Sequence, residues 1–451
     1  MTKPINSRDI ILGILKEIIQ EEEYSHIALR NTLDKYQYLE KQERAFITRV
    51  TEGTLEEMIK IDYILNQFSK VKVKKMKPFI CNLLRISVYQ ILYMDSVPDS
   101  AACNEAVKIA AKRGFVNLKG FVNGVLRNII RNRENIIFPD EKAEPDDYLS
   151  IMYSMPKWIV EKWLKTYGLE KTKIMLQSFF HEKGTVIRCN TKRISIEELE
   201  KELEKEGIVV KPAHYLNYAL VISEFDTIGS IKAFQKGFFY VQDISSMLVA
   251  EVADPQKNNV IIDVCAAPGG KSLHLAEKLD GSGKVEARDL TPYKVGLIQE
   301  NIEKSQLSNI IALQQDACTL DLDSVEQADI LIADLPCSGL GVMNQKTDIK
   351  YKMTPEKEKQ LVNLQRKILE TVYQYVKKGG TLVYSTCTID EEENIQNVKW
   401  LMERYPFQLE SIDAYLPEEL RSDTTKEGYL QLLPGIHQAD GFFIAKLKRI
   451  D

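Results

Sequence analysis

Two cysteines stand just past apolar runs, Cys337 in ADILIADLPCSGLG and Cys387 in KGGTLVYSTCTIDEEEN. An ionised thiol is a strong nucleophile, and it needs a pocket that favours the thiolate over an ordinary pKa of about 8.5. If each run is a strand of one sheet, both sulfurs face the same rim. Asp334 precedes Cys337 by three residues and brings an acid to that rim. A thiolate that adds to an electron-poor carbon, beside an acid that polarises the acceptor, is equipment for covalent catalysis. The bland alternative is that both cysteines are small buried hydrophobes, a common fate of the free residue.

The elements around them favour chemistry. From about residue 251 the runs VIIDVCA, KVEARD, IIALQQD, ADILIADLP, TLVYSTC and FFIAKLK alternate with helical stretches such as KSLHLAEKL, PYKVGLIQENIEKS and EKEKQLVNLQRKILETVYQYVKK. That alternation predicts a doubly wound α/β sheet, whose ligands bind beyond the carboxyl ends of its strands. VIIDVCAAPGGKS (260–272) is a strand, a glycine turn at Gly269 and Gly270, and a helix start. It has neither the GxGxxG nor the P-loop spacing. Asp289 ends the second strand, where an acid commonly takes ribose hydroxyls. Asp316 ends the third, within reach of an adenine amino group, and Asp263 and Asp334 end two more. Acids without a phosphate-binding lysine cluster suit a cationic, phosphate-free nucleoside, a description that S-adenosylmethionine meets. Strand-end aspartates can also merely cap the helices that follow. A sulfonium methyl beside a thiolate suggests one chemistry in particular. Cytosine C5 is a poor nucleophile until a thiolate adds at C6 and makes it enamine-like, and a nearby acid such as Asp334 at N3 would ease that addition.

At 451 residues the chain exceeds one ordinary core and predicts two or three domains. Hydrophobic residues make up 44% and charged ones 28%, which describes a soluble globular protein. No apolar run approaches the roughly 20 residues of a membrane span. The N-terminus reads as an amphipathic helix with no cleavage site after it, so the expected location is cytoplasmic. Seven cysteines without CxxC spacing, and five histidines, argue against disulfides and a structural zinc site. The net charge is −5 but uneven: residues 1–139 hold 22 Lys and Arg against 16 Asp and Glu. A basic first part facing a polyanion is one explanation, and a helical domain that happens to be basic is the other.

Residues 5–133 show apolar spacing of three and four throughout, as in IILGILKEII and FICNLLRISVYQILYM. RVTEGTLEEMIKIDYIL, LLRISVYQILYMDSVPDSAACNEAVKIAAK and FVNGVLRNI resemble the all-helical NusB-type RNA-binding domain. That resemblance implies RNA contact over residues 1–138; by charge, Lys70, Lys72, Lys74, Lys75, Lys77, Arg127, Arg131 and Arg133 are candidates for it, although a lysine run alone is more often a solvated surface. A linker is expected at 139–150. Residues 151–250 alternate helix and strand like a small α+β RRM-like module, without the aromatic signature of a true RRM.

The motifs DVCAAPGGKS, ADLPCSGLG, KGGTLVYSTCTIDEEEN and DGFFIAKL resemble the RNA cytosine-C5 methyltransferase family. With the NusB-like part, the whole chain is similar to its Sun/Fmu (RsmB) type, which modifies small-subunit (16S) ribosomal RNA. The resemblance implies a C-terminal α/β Rossmann-like methyltransferase domain over 251–451. It implies that Cys387 is the nucleophile, that Cys337 assists release and proton removal, and that Asp334 acts beside them. Cys265, Ala266, Ala267, Pro268, Gly269, Gly270 and Lys271, with Asp289, Asp316 and Asp334, would contact S-adenosylmethionine or the target base. The expected partner is free or early-assembly ribosomal RNA, met by a monomer without metal or membrane. The family usually carries an arginine pair and a proline where this chain has VMNQKTDIKY (342–351). Asn344, Gln345 and Thr347 stand there, while Asp348 and Lys350 are kept, so a phosphate contact does not carry over. Other readings stay open: another RNA cytosine target such as tRNA, a methyltransferase acting on an exocyclic amine or a protein side chain, or a non-catalytic RNA-binding or antitermination module.

Overall fold

The computed structural model describes residues 6–181 and 184–451. The first five residues of the N-terminal stretch, and 182–183 in the middle region, lie outside the described residues. Two compact units emerge. One runs to Phe180 and includes Met343–Lys352, and the other takes His181–Val342 and Met353–Asp451.

The first unit is helical: α1 (Ser7–Gln20), α2 (Ser25–Lys35), α3 (Lys41–Glu56), α4 (Met58–Phe68), α5 (Pro78–Tyr93), α6 (Asp99–Lys112), α7 (Lys119–Arg131), α8 (Pro145–Met152) and α9 (Lys157–Ser178). In α1 the Asn6 side chain accepts from the Arg8 N–H at 2.9 Å, satisfying one donor of the first turn, and Ile11, Ile14, Leu15 and Ile18 face the core. Half of the expected linker is helix. Pro145 occupies the first turn of α8, Asp146 and Asp147 follow where the helix dipole favours acids, and Leu149 is buried.

Segment Met343–Lys352 is part of this helical unit. Buried Asp348 accepts from the Ser25 N–H (3.2 Å) and hydroxyl (2.5 Å) and pairs with Lys352 (2.7 Å). Lys350 donates to the Glu56 carbonyl (2.9 Å) and the Tyr351 hydroxyl to the Leu55 carbonyl (2.6 Å). Asp348 and Lys350 thus tie this stretch to helix ends.

The second unit begins with a four-stranded antiparallel sheet in the order β2-β3-β1-β4, formed by β1 (Thr185–Cys189), β2 (Val209–Pro212), β3 (Ala219–Ser223) and β4 (Phe239–Val241). With α10 (Ile196–Lys205) after β1 and α11 (Lys232–Gln235) after β3, this is a ferredoxin-like βαββαβ layout, the fold that RRMs share. Then α12 (Ile244–Ala253) leads into the large sheet, in the order β10-β12-β9-β8-β5-β6-β7. Its parallel strands are β5 (Val260–Asp263), β6 (Lys284–Asp289), β7 (Ile310–Gln314), β8 (Ala328–Asp334) and β9 (Val376–Thr386). β10 (Phe407–Leu409), β11 (Tyr429–Leu432) and β12 (Phe442–Arg449) add antiparallel pairings, so the sheet is mixed. β10 and β11, three and four residues long, are too short to leave a clear strand signal in the sequence. Flanking helices are α13 (Gly270–Lys278), α14 (Pro292–Ser305), α15 (Pro355–Val372) and α16 (Ile395–Arg404). No helix of the described residues is long and apolar enough to cross a membrane.

Candidate active site

Strand register decides which side chains meet. β8 and β9 run parallel with Asp334 opposite Ser385, so the chain leaves both strands at one level. Cys337 and Cys387 follow these ends, and their sulfurs lie 3.3 Å apart, half-buried. The loop after Cys337 returns to this rim: the Gly341 N–H donates to the Cys387 carbonyl (3.1 Å), and the Gly441 N–H to the Gly341 carbonyl (2.9 Å). A Cβ on Gly341 would overlap the Gly441 carbonyl, so only glycine permits this approach. The glycines of PCSGLG and DGFF therefore meet each other.

Asp334 joins the thiols to the glycine turn. One oxygen accepts from the Ser385 hydroxyl at 2.7 Å, and the other pairs with Lys271 at 2.7 Å. Lys271 also lies 5.4 Å from the Phe442 ring centre. Burial opposes its charge, but Asp334, and after it Asp263 and Cys387, hold the ammonium charged above its ordinary value. The Cys337 thiol is pushed well above the ordinary thiol range, first by its hydrogen bond to Cys387 and then by desolvation. Cys265 is also pushed up, by burial and by Asp263, Asp289 and Asp334 around it, which keeps it a neutral thiol.

The rest of the rim offers a nucleoside cradle. Gly269 has φ of +104°, turning the chain from Asp263 into α13, and its N–H donates to the Ala266 carbonyl at 2.7 Å. Asp289 accepts from the Ala267 N–H (3.1 Å) and the Leu290 N–H (2.8 Å), with Lys294 at 3.0 Å. Those bonds connect the strand-end acid to the turn Cys265–Lys271. Asp316 is exposed and accepts from the Cys318 N–H at 2.8 Å. The one lysine at the turn is engaged by Asp334, so the donor set remains acidic and fits S-adenosylmethionine rather than a phosphorylated nucleotide. Glu286 and Arg288, odd residues for a strand, pair with each other and with Lys284, Asp321 and Ser324, and leave Asp289 at the strand end.

The candidates in the helical unit separate by environment. Lys70, Lys72, Lys74, Lys75 and Lys77 are exposed around a short turn at Val73–Lys75. The Asn66 side chain fixes that turn by accepting from the Val73 N–H at 2.8 Å. Arg133 instead pairs with Asp99 at 2.9 Å.

Sequence reasoning missed the residues that brace the thiols: Ser338, Gln365, Thr388, Glu393 and Asn394. The available signal was the acidic IDEEEN (389–394), one residue past Cys387. Arg188 was missed too. It is buried against Glu277, donates to the Gln242 side chain at 2.7 Å, and lies 4.6 Å from the Tyr240 ring centre.

Comparisons with known proteins agree with this architecture. Residues 250–448 match the family described as 16S rRNA methyltransferase RsmB/F, residues 5–131 the NusB family, and residues 155–228 the ferredoxin-like domain of RsmF/B-like methyltransferases. The chain is similar to a probable ribosomal RNA small subunit methyltransferase B of Bacillus subtilis, 37% identical over 450 residues and 99% of each chain. It is 30% identical to the ribosomal RNA small subunit methyltransferase B of Vibrio cholerae, over 92% of this chain and 91% of the other. Among solved structures, PH0851 is 25% identical with a TM-score of 0.81, covering 99% of this chain and 100% of that one. NSun6 from Pyrococcus horikoshii, solved with SFG, is 26% identical with a TM-score of 0.59, covering 66% of this chain and 98% of its own.

Proposed function

Because the chain belongs to the RsmB/F family of 16S rRNA methyltransferases, we propose that it methylates C5 of a cytosine in small-subunit ribosomal RNA through a covalent adduct on Cys387. It is an S-adenosylmethionine-dependent RNA methyltransferase. The observation that carries the mechanism is the pair of sulfurs 3.3 Å apart beside the Asp334–Lys271 ion pair.

The Cys265–Lys271 turn with Asp289 and Asp316 would hold S-adenosylmethionine, which would supply an electrophilic methyl group. The Cys387 thiolate bonds to C6, and the C5=C6 electron pair becomes nucleophilic at C5. The Lys271 ammonium stabilises a thiolate nearby; because Asp334 is paired with it, the donor toward N3 of the base is Lys271, held in place by Asp334, rather than the acid expected at Asp334. Its carboxylate is an acceptor for the exocyclic amine. After methyl transfer, the C5 proton leaves to a base, C5=C6 reforms and the S–C6 bond breaks.

Cys337 is that base. Its thiol is held protonated chiefly by Cys387. Once the Cys387 sulfur is a neutral thioether, the first of these causes is removed, while burial still opposes the Cys337 thiolate.

A paired base cannot reach this rim, so the target must be single-stranded or flipped out. That favours free or early-assembly RNA in the cytoplasm, bound by a monomer through phosphate contacts of the Lys70–Lys77 turn, with no metal required. To test the mechanism, Cys337→Ala is mixed with S-adenosylmethionine and small-subunit rRNA and run on a denaturing gel. A slow-migrating RNA–protein band that vanishes in Cys337→Ala/Cys387→Ala is expected. Full methylation by Cys387→Ala would sink the reading.

A further inference from the structure

We propose that Glu393 and Asn394, adjacent in IDEEEN, form a two-headed clamp that sets the separation of the thiols: Glu393 holds the Cys337 turn and Asn394 the Cys387 turn. The proposal rests on the thiol mechanism above and assigns to this acidic stretch a role in it.

Each cysteine is gripped by the residues on either side of it. Before Cys337, the Pro336 carbonyl accepts from Gln365 Nε2 at 2.9 Å. After it, the Ser338 N–H donates to Glu393 Oε2 at 2.9 Å, and the Ser338 hydroxyl donates to Glu393 Oε1. Gln365 Nε2 also donates to Glu393 at 2.9 Å, closing the loop. Before Cys387, the Thr386 hydroxyl donates to Asn394 Oδ1 at 2.5 Å. After it, the Thr388 carbonyl accepts from Asn394 Nδ2 at 3.0 Å. The two grips join where the Ser338 and Thr388 hydroxyls meet at 2.7 Å. Glu393 and Gln365 are 0% exposed and Asn394 is 1%.

Buried and hydrogen-bonded on several sides, these groups have little freedom, and a loosened turn would move a sulfur. Neither Glu393 nor Asn394 is assigned contact with the substrate. They act through the backbone of Ser338 and Thr388 and the hydroxyls of Ser338 and Thr386 beside the cysteines, and are positioning residues. A clamp differs from general packing because its heads serve different turns and so different steps.

The test follows single turnover with S-adenosylmethionine and small-subunit rRNA, resolving adduct formation from release on a denaturing gel. Glu393→Ala is expected to form the Cys387 adduct at the wild-type rate and release it roughly 100-fold more slowly, the size of effect that ~1 Å of misplacement produces. Glu393→Gln keeps an acceptor for the Ser338 N–H and is expected to restore most of the release rate. Asn394→Ala is expected to slow adduct formation by a similar factor, in the wild-type and Cys337→Ala backgrounds alike. Cofactor affinity, read by calorimetry, should match wild type in all three. The clamp is overturned if both alanine variants slow the same step, if both behave as wild type, or if cofactor binding falls with them. If Cys337→Ala gives no adduct while wild type methylates, the thiol roles fail instead. The clamp variants cannot mimic that outcome, because they retain Cys337.

Discussion

The two halves of the large sheet are built on opposite plans. On the β5–β6–β7 side the acids after β6 and β7 are fixed by backbone N–H groups, Asp289 enclosed and Asp316 exposed. Asp289 takes the amides of Ala267 and Leu290, Asp316 takes that of Cys318, and Tyr293 beyond them is 67% exposed. On the β8–β9–β12 side the loops are braced by enclosed side chains, with Ser385, Thr386, Thr388, Glu393 and Asn394 all buried. A ligand that arrives and leaves each turnover needs donors and acceptors held on a rigid backbone. Two sulfurs that must act in order on one base need their positions fixed to fractions of an ångström. On the proposed mechanism, the difference separates binding from chemistry within one sheet.

Substitutions should separate the halves in the same way. The largest effect is expected from Cys387→Ser: methylation of small-subunit rRNA, followed as tritium transfer from labelled S-adenosylmethionine, should fall to background while calorimetric cofactor affinity stays unchanged. Asp289→Asn should do the reverse. It should weaken cofactor binding by roughly 1.5–3 kcal/mol, the usual worth of a hydrogen bond to a charged group, with little change in single-turnover rate at saturating cofactor. Equal loss of both properties in either variant would dissolve the comparison.

Smaller effects sharpen it. Lys72→Ala/Lys74→Ala/Lys75→Ala should weaken RNA binding and flatten its salt dependence by about one unit of slope for each phosphate no longer neutralised. Cofactor affinity and the rate at saturating RNA should not move. Asp263 lies at the seam between the halves, bonded to the Ser272 hydroxyl at 2.6 Å. Burial lifts its carboxyl from 3.8 to about 7, with Ser272 opposing. The folded chain therefore holds this proton more tightly than the unfolded chain. The stability it contributes is complete below 3.8 and is lost as pH rises through about 7. Asp263→Asn has no charge to bury, so its Tm relative to wild type should climb across that window and then level off. A flat difference would contradict the assignment.

The placement of much of the β5–β6–β7 half was legible in the sequence, because its groups sit at strand ends that apolar runs and a glycine turn announce locally. Asp289 and the Cys265–Lys271 turn could be placed by counting along the chain. The thiols were legible for the same reason. Their bracing was not, since Ser338, Gln365 and Glu393 meet only after β8, α15 and the loop past β9 have packed. Gly341 and Gly441 are a hundred residues apart and touch through a return that no local spacing encodes. Arg188 in VIRCN looks like an outward strand residue, yet it is buried because Glu277 on α13 neutralises it. Segment Met343–Lys352 follows the Cys337 loop in sequence but belongs to the helical unit, where Ser25, Leu55 and Glu56 receive it. The short apolar stretches of α8 gave too little periodicity to outweigh the prolines and charges around them.

The central claim is that Cys387 is the residue bonded to the RNA. The most direct measurement is tandem mass spectrometry of the Cys337→Ala adduct after nuclease and protease digestion. The expected result is a peptide spanning Cys387 that carries a C5-methylated cytidine nucleotide on its sulfur. A nucleotide bonded to any other residue, or an unmethylated cross-link that forms equally well without S-adenosylmethionine and persists in Cys387→Ser, would contradict the account.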